Sequence, residues 1–429
     1  MTKTTRRDFV RSVGALGAAT SLLGWPGLGR AKAAGGRVVV IGGGFGGASC
    51  ARYLRSLSGD IDVTLVERDS KFMTCPFSNA VLGGLYDMDF ITHGYDALRD
   101  DHGVKIVHDS AVDVDADAKT VRLAGGSSLK YDRLVVSPGI DLRWGAIEGY
   151  DEAASATMPH AWKAGEQTTI LRRQLEAMPD GGVVIIAAPP NPFRCPPGPY
   201  ERASLIAHYL KTAKPRSKIL IYDAKPNFSK QPLFEQGWQA LYPGMIEWIS
   251  ETEGGAIEGV DVKAMTVNPT FGEPQKGDVI NVIPPQKAGT IAEVAGLTDD
   301  NGWCPVDQRT FESKMQKDVH VIGDASIATP MPKSGFAASS QGKVCATAIV
   351  ASLTGQDMPD PSYVNTCYSL VGPDYGISVA AVYRFGDGSI AAVPGAGGVS
   401  PKDVGAEFRV AESRYAVGWY QSITSDIWG

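Results

Sequence analysis

The chain has 429 residues, 43% of them hydrophobic and 21% charged. That length exceeds what a single hydrophobic core supports, so two or three domains are expected, and the composition excludes disordered and fibrous chains. The formal net charge is −6, which speaks against nucleic acid as a partner.

Thr5-Arg6-Arg7-Asp8-Phe9-Val10 precede an apolar, small-residue stretch from Val13 to Leu23 and then Ala31-Lys32-Ala33. These parts, in this order, read as a twin-arginine export signal over residues 1–33 with a periplasmic destination. That route carries proteins that have already folded, so cofactor loading precedes export, and disulfides are permitted at the destination. Removing the segment takes away six Lys/Arg and one Asp and leaves −11. Such an acidic surface mildly favours a basic protein partner. Beyond residue 33 no run approaches the roughly 18 uncharged apolar residues of a membrane-spanning helix.

Arg37-Val38-Val39-Val40-Ile41 reads as a buried parallel strand running into Gly42-Gly43-Gly44-Phe45-Gly46-Gly47, with a helical stretch from Ala48 to Leu57 and a second strand, Val63-Thr64-Leu65-Val66, ending in Glu67. This is a dinucleotide fingerprint. Gly42 makes the turn, Gly44 allows close approach of a pyrophosphate, Gly47 lets the helix pack, and Glu67 meets a ribose. Tyr131 to Gly139 forms a strand and turn, and Val319-His320-Val321-Ile322-Gly323-Asp324 a strand ending in Gly-Asp. In this order they resemble the split FAD domain of the pyridine-nucleotide-disulfide reductase superfamily, where the Asp meets the ribityl or phosphate region.

A second βαβ pattern follows, with strands Val183–Ile186 and Lys218–Tyr222 around a helix over Tyr200–Lys211. Its turn, Ala187 to Pro199, is filled with prolines and has no glycine placed for a pyrophosphate, so a nicotinamide site is not expected there. From about Gln356 the pattern changes to short strands and turns with an aromatic tail containing Trp419, Tyr420 and Trp428. The expected architecture is therefore α/β. Two Rossmann-like domains (34–155 with 291–355, and 156–290) are followed by a C-terminal α+β interface domain over 356–429.

Six cysteines carry the remaining chemistry, and no C-x-x-C pair or zinc spacing occurs, so no metal is expected. Cys50 and Cys345 fall in apolar helices as core residues, and Cys304 reads as buried rather than reactive. Cys195 lies in a proline-stiffened loop before a helix N-terminus, a setting that lowers a thiol pKa. A bond from Cys195 to Cys367 would close a gap of 172 residues. Read as a structural cross-link it would stabilise by about 5 kcal/mol, and read as redox-active it would sit at a ligand edge. Spacing leaves both readings open. Cys75, eight residues past Glu67, is equally open: a buried thiol, a redox cysteine or a covalent flavin anchor.

Thr74-Cys75 with Ser78-Asn79, the string Phe193-Arg194-Cys195-Pro196-Pro197-Gly198-Pro199-Tyr200-Glu201-Arg202-Ala203, Met331-Pro332-Lys333-Ser334-Gly335 and Asn365-Thr366-Cys367-Tyr368 resemble the flavoprotein subunits of flavocytochrome c sulfide dehydrogenase. The resemblance spans essentially the whole mature chain. It implies covalent FAD through an 8α thioether at Cys75 and an active disulfide between Cys195 and Cys367 beside the flavin. Hydrosulfide attacks that disulfide, leaving a persulfide and a thiolate that passes electrons on. Glu201 is a candidate proton acceptor or simply a first-turn acid favoured by the helix dipole. Lys333 is expected to face the flavin pyrimidine, Gly139 to close the first flavin segment, and Trp419 to line the flavin pocket.

Without a nicotinamide site electrons need a one-electron outlet, and this chain has no C-x-x-C-H haem attachment sequence. The implied partner is a c-type cytochrome subunit in a heterodimer. Two alternatives remain. One is a sulfide:quinone oxidoreductase, which needs a membrane-docking tail where this one carries Asp403, Glu407, Arg409, Glu412, Arg414 and Asp426. The other is a non-catalytic flavin-bearing subunit that docks a partner.

Overall fold

The structure, a computed structural model, describes residues 35–429; the export signal expected over 1–33 lies outside them. Strand β1 (Gly36–Ile41) is apolar and buried at its last four residues, as the centre of a parallel sheet requires. Gly42 follows at φ +95°, a conformation that favours glycine. Helix α1 (Phe45–Leu57) then starts directly from the glycine turn, three residues before the expected Ala48, because a Cβ on Gly47 would collide with the Gly42 carbonyl and none is there.

The chain continues through β2 (Ile61–Val66), a short helix α2 (Ser78–Leu82), β3 (Lys105–Val107) and β4 (Arg133–Val136). It then leaves to build a second unit from β5 (Val183–Ala188), α3 (Gly198–Ala213), β6 (Lys218–Asp223), α4 (Gln231–Leu241), β7 (Ile246–Ile249) and β8 (Val279–Val282). It returns through β9 (Val319–Val321) and the long helix α5 (Gly335–Thr354). The first sheet is parallel throughout, in the order β9-β4-β1-β2-β3, so its outer strand comes from the far side of the second unit. The second sheet is also parallel, in the order β7-β6-β5-β8. These are the two expected Rossmann-like layers, the first interrupted by the second.

The C-terminal region differs from the expectation of short strands and an aromatic tail. It holds three long antiparallel strands, β10 (Ser362–Gly372), β11 (Tyr375–Gly386) and β12 (Ser389–Val399), and the tail is a 23-residue helix, α6 (Ala406–Trp428). Turn residues such as Gly386, Gly395 and Gly397 break the apolar alternation without ending the strands. In the tail, Ala416, Tyr420, Ile423 and Ile427 recur at helical spacing and are all buried. Gly376 allows α6 to press on β11, since a Cβ there would collide with the backbone of Glu412 and Ser413.

The far end of α6 docks on the glycine turn. Trp428 donates from Nε1 to the Gly43 carbonyl at 3.2 Å and stacks on Phe72 and His93 at centroid distances of 5.3 and 5.1 Å. Arg52 of α1 donates to the carbonyls of Ser425 and Asp426 at 2.8 and 2.7 Å, capping the helix C-terminus with positive charge. Trp428→Ala should therefore destabilise by about 3 kcal/mol or more, read as a lowered denaturant midpoint; an unchanged midpoint would refute the clamp.

Candidate functional site

A cavity opens where the three units meet, and Cys75, Cys195, Cys367, Glu201, Trp162 and Trp419 are among the residues that line it. Cys195 stands in the loop between β5 and α3, at the edge where parallel sheets bind ligands. Its backbone is left-handed at φ 57°, and its amide donates to the Lys333 carbonyl at 2.8 Å. Cys367 comes from the middle of β10. The two side chains line the same cavity as close neighbours, although 172 residues of sequence separate them.

Their environments are unequal. Cys367 is held below the usual thiol range, first by the hydrogen bond from Cys195 and, after the opposing effect of burial, by the charge of Lys230. Lys230 donates from Nζ to the Cys367 carbonyl at 3.3 Å and to Ser369 Oγ at 2.9 Å. Cys195 is pushed up, first by its hydrogen bond to Cys367 and then by burial. Of the pair, Cys367 is the natural thiolate.

Glu201 lies one turn into α3 and is half-buried, and the water it loses there raises its carboxyl above the usual range against opposing hydrogen bonds. Its Oε2 accepts from Asn79 Nδ2 at 2.9 Å and its Oε1 from the Leu370 amide at 2.8 Å. Asn79 in turn accepts from Arg202 Nε at 3.0 Å, and Arg202, 1% exposed, also donates to the carbonyls of His160 and Ala161 and to Asn281. One carboxylate thus joins α2, α3 and β10.

Cys75 reaches the cavity from the loop before α2. Arg194 donates from Nη1 toward its sulfur at 3.4 Å and from Nε to Asp324 Oδ2 at 2.6 Å. Gly139, at φ +65°, leaves room for that guanidinium, since a Cβ would sit 2.7 Å from Nη2. The Lys333 ammonium donates to the carbonyls of Asp324 and Ser326 at 2.6 and 3.1 Å and lies 3.8 Å over the Trp303 ring, and burial lowers it to about 8. Cys304 is fully buried, and burial lifts its thiol to about 12.

The chain suits an FAD. Gly42, Gly44 and Gly47 form a cradle at the α1 N-terminus, and Glu67 reaches it by accepting from the Gly43 amide at 2.8 Å. Asp324 Oδ1, Trp162 Nε1 and Trp419 Nε1 are buried polar atoms without a protein partner, the condition expected where a polar cofactor would complete them. The second cradle is different. Asp223, at the end of β6 where a ribose acid would stand, is already engaged by Tyr200 at 2.5 Å, Trp248 at 2.9 Å and Lys225 at 2.5 Å.

Asn79, Arg194 and Arg202 belong to the quoted motif segments, but their partners are set by folding, and Lys230 and Trp162 carry no sequence signal at all. A structural signal does exist. Of nine non-glycine residues at positive φ among the described residues, Phe77, Ala161 and Cys195 line the cavity and Lys230 adjoins Cys367, and such strain concentrates at functional sites.

Three family models match the chain: "Pyridine nucleotide-disulphide oxidoreductase" over residues 36–179, "Sulfide dehydrogenase [flavocytochrome c] flavoprotein chain, central" over 168–284, and "Flavocytochrome c sulphide dehydrogenase, flavin-binding" over 359–428. A sulfide dehydrogenase [flavocytochrome c] flavoprotein chain from Chlorobaculum thiosulfatiphilum is 71% identical over 45 residues, 10% of this chain and 94% of that relative. The mitochondrial sulfide:quinone oxidoreductase of Dictyostelium discoideum is 25% identical over 323 residues, 72% of this chain and 69% of the relative. The solved sulfide:quinone oxidoreductase of Aquifex aeolicus shares the fold, with a TM-score of 0.71 at 19% identity over 91% of this chain and 92% of that one. The chain belongs to the flavoprotein chains of flavocytochrome c sulfide dehydrogenase, within the FAD-binding pyridine nucleotide-disulphide oxidoreductases.

Proposed function

We propose that this chain oxidises hydrosulfide at a Cys195–Cys367 disulfide and delivers the electrons through covalent FAD to a c-type cytochrome subunit in the periplasm. The observation that carries the reading is the meeting of Cys195 and Cys367 in the cavity that also holds Cys75. Gly42, Gly44, Gly47 and the α1 N-terminus would take the diphosphate, Glu67 a ribose hydroxyl, Asp324 the ribityl chain and Cys75 the 8α carbon. Bound there, FAD supplies a two-electron acceptor for the thiols and a one-electron outlet toward haem.

Hydrosulfide attacks the Cys195 sulfur, the S–S bond breaks, and Cys367 departs with the bonding pair as thiolate, leaving a persulfide on Cys195. The direction follows from Lys230, whose charge beside Cys367 makes it the better leaving group. Glu201 takes the proton of the added sulfur. A further hydrosulfide takes the outer persulfide sulfur as hydrodisulfide and leaves Cys195 as a thiolate; the Cys195 and Cys367 thiolates then reform the S–S bond with loss of two electrons, for which FAD held in the glycine cradle would be the acceptor.

Three features support a cytochrome acceptor. The Asp223 cradle is engaged by its own side chains. Among the described residues no helix is long and apolar enough to cross a membrane. The exposed face of α6 mixes Phe408 and Tyr415 with Glu407, Arg414, Gln421, Ser422 and Ser425 rather than forming a continuous apolar membrane-docking stripe. Periplasmic placement rests on the Arg6-Arg7 segment.

Cys195→Ser and Cys367→Ser should each slow sulfide-dependent bleaching of the flavin absorbance by about 10³-fold or more, whereas unchanged bleaching would favour the partner-docking alternative. Because the Glu201 carboxyl titrates above the ordinary carboxylate range, proton acceptance is lost as pH falls through that raised value. Turnover should rise with pH across it, and Glu201→Gln should flatten that limb; an unaltered profile would remove Glu201 from the reaction. With sulfide as donor, the purified chain should reduce a c-type cytochrome faster than a short-chain quinone or NAD⁺, and the reverse order would overturn the acceptor assignment.

A further inference from the structure

Arg194 is the cation that faces Cys75. Its Nη1 lies 3.4 Å from the sulfur and 3.5 Å from the Trp162 carbonyl, while its Nε is anchored 2.6 Å from Asp324 Oδ2. Its own amide donates to Gln286 Oε1 at 2.9 Å. The side chain is 18% exposed and its Asp324 partner 10%, so the guanidinium is held on both sides in a largely water-free setting. A thioether sulfur has no charge for a cation to balance. An N–H donor and a full positive charge aimed at sulfur are what a thiolate requires. The contact therefore serves the chain before its cofactor is attached.

We propose that Arg194 is a catalytic residue of self-modification, its N–H group donating to the Cys75 sulfur as that sulfur bonds to the 8α-methyl carbon of FAD, so that no separate attaching enzyme is needed. This rests on the reading of Cys75 as the tether. In the step, the thiol S–H bond and one methyl C–H bond break and the S–C bond forms. The two electrons and two protons released end on the isoalloxazine of the same FAD. Dioxygen or the cytochrome acceptor then withdraws those electrons and returns the tethered cofactor to its oxidised state. Asp324 keeps the guanidinium charged: burial pulls Arg194 down, but attraction from Asp324 and Cys75 leaves it above its ordinary value.

The test compares the wild-type chain with Arg194→Gln, Arg194→Lys and Cys75→Ser, all made in one host. Total FAD per chain is measured by absorbance, and the tethered share by flavin that stays with acid-precipitated protein and by the mass of the Cys75 peptide. Arg194→Gln should keep total FAD within about twofold of wild type while the tethered share falls about tenfold or more, with Arg194→Lys in between. Cys75→Ser should release all of its FAD in acid. Equal tethering in Arg194→Gln and wild type would overturn the inference. So would an Arg194→Gln chain with no FAD of either kind, since Arg194 would then be a binding residue only. A wild-type chain that releases all its FAD in acid would instead overturn the tether reading itself.

Discussion

The site depends on one half-buried carboxylate. Glu201 takes hydrogen bonds from Asn79 beside the Cys75 loop and from the Leu370 amide in the strand that carries Cys367, while its own helix begins just after Cys195. Three segments from three different units are thereby brought to one point. A buried carboxylate without partners would be costly. Here the donors that offset the cost are the groups that must be positioned, so satisfying Glu201 and assembling the cavity are one event.

Around that node the chain distributes charge unequally. Lys230 stands on the Cys367 side, Arg202 braces Asn79 and the backbone of His160 and Ala161, and Arg194 spans from Asp324 to Cys75. Each cation is fixed by at least one carbonyl or carboxylate of its own, so none needs the other to stay buried. Two neighbouring thiols, Cys195 and Cys367, thus sit in unequal surroundings.

The second Rossmann-like unit keeps its fold while its cradle is taken up by its own side chains. Its parallel sheet and crossover helix are intact. Its turn carries prolines in place of glycines, and Asp223 is engaged by Tyr200, Trp248 and Lys225. Filling the cradle with its own side chains keeps the layer packed and turns its ligand edge over to Cys195.

Local signals sufficed for much of this. The run of apolar residues into Gly42–Gly47, Glu67 at the end of the next strand and the proline turn before Cys195 were all legible, because each depends on near neighbours in the chain, whereas the interrupted first domain was legible only through its resemblance to a known superfamily. The cysteine segments were legible as motifs, yet spacing left Cys75, Cys195 and Cys367 with several roles each. Tertiary structure decided what distance along the chain hides: that Cys367 faces Cys195, that Lys333 turns its ammonium toward Trp303, that Arg194 reaches Cys75, and that the aromatic tail is a helix clamped on Gly43. Those outcomes rest on contacts between residues far apart in sequence, where burial and hydrogen-bond satisfaction, rather than local propensity, select the partner.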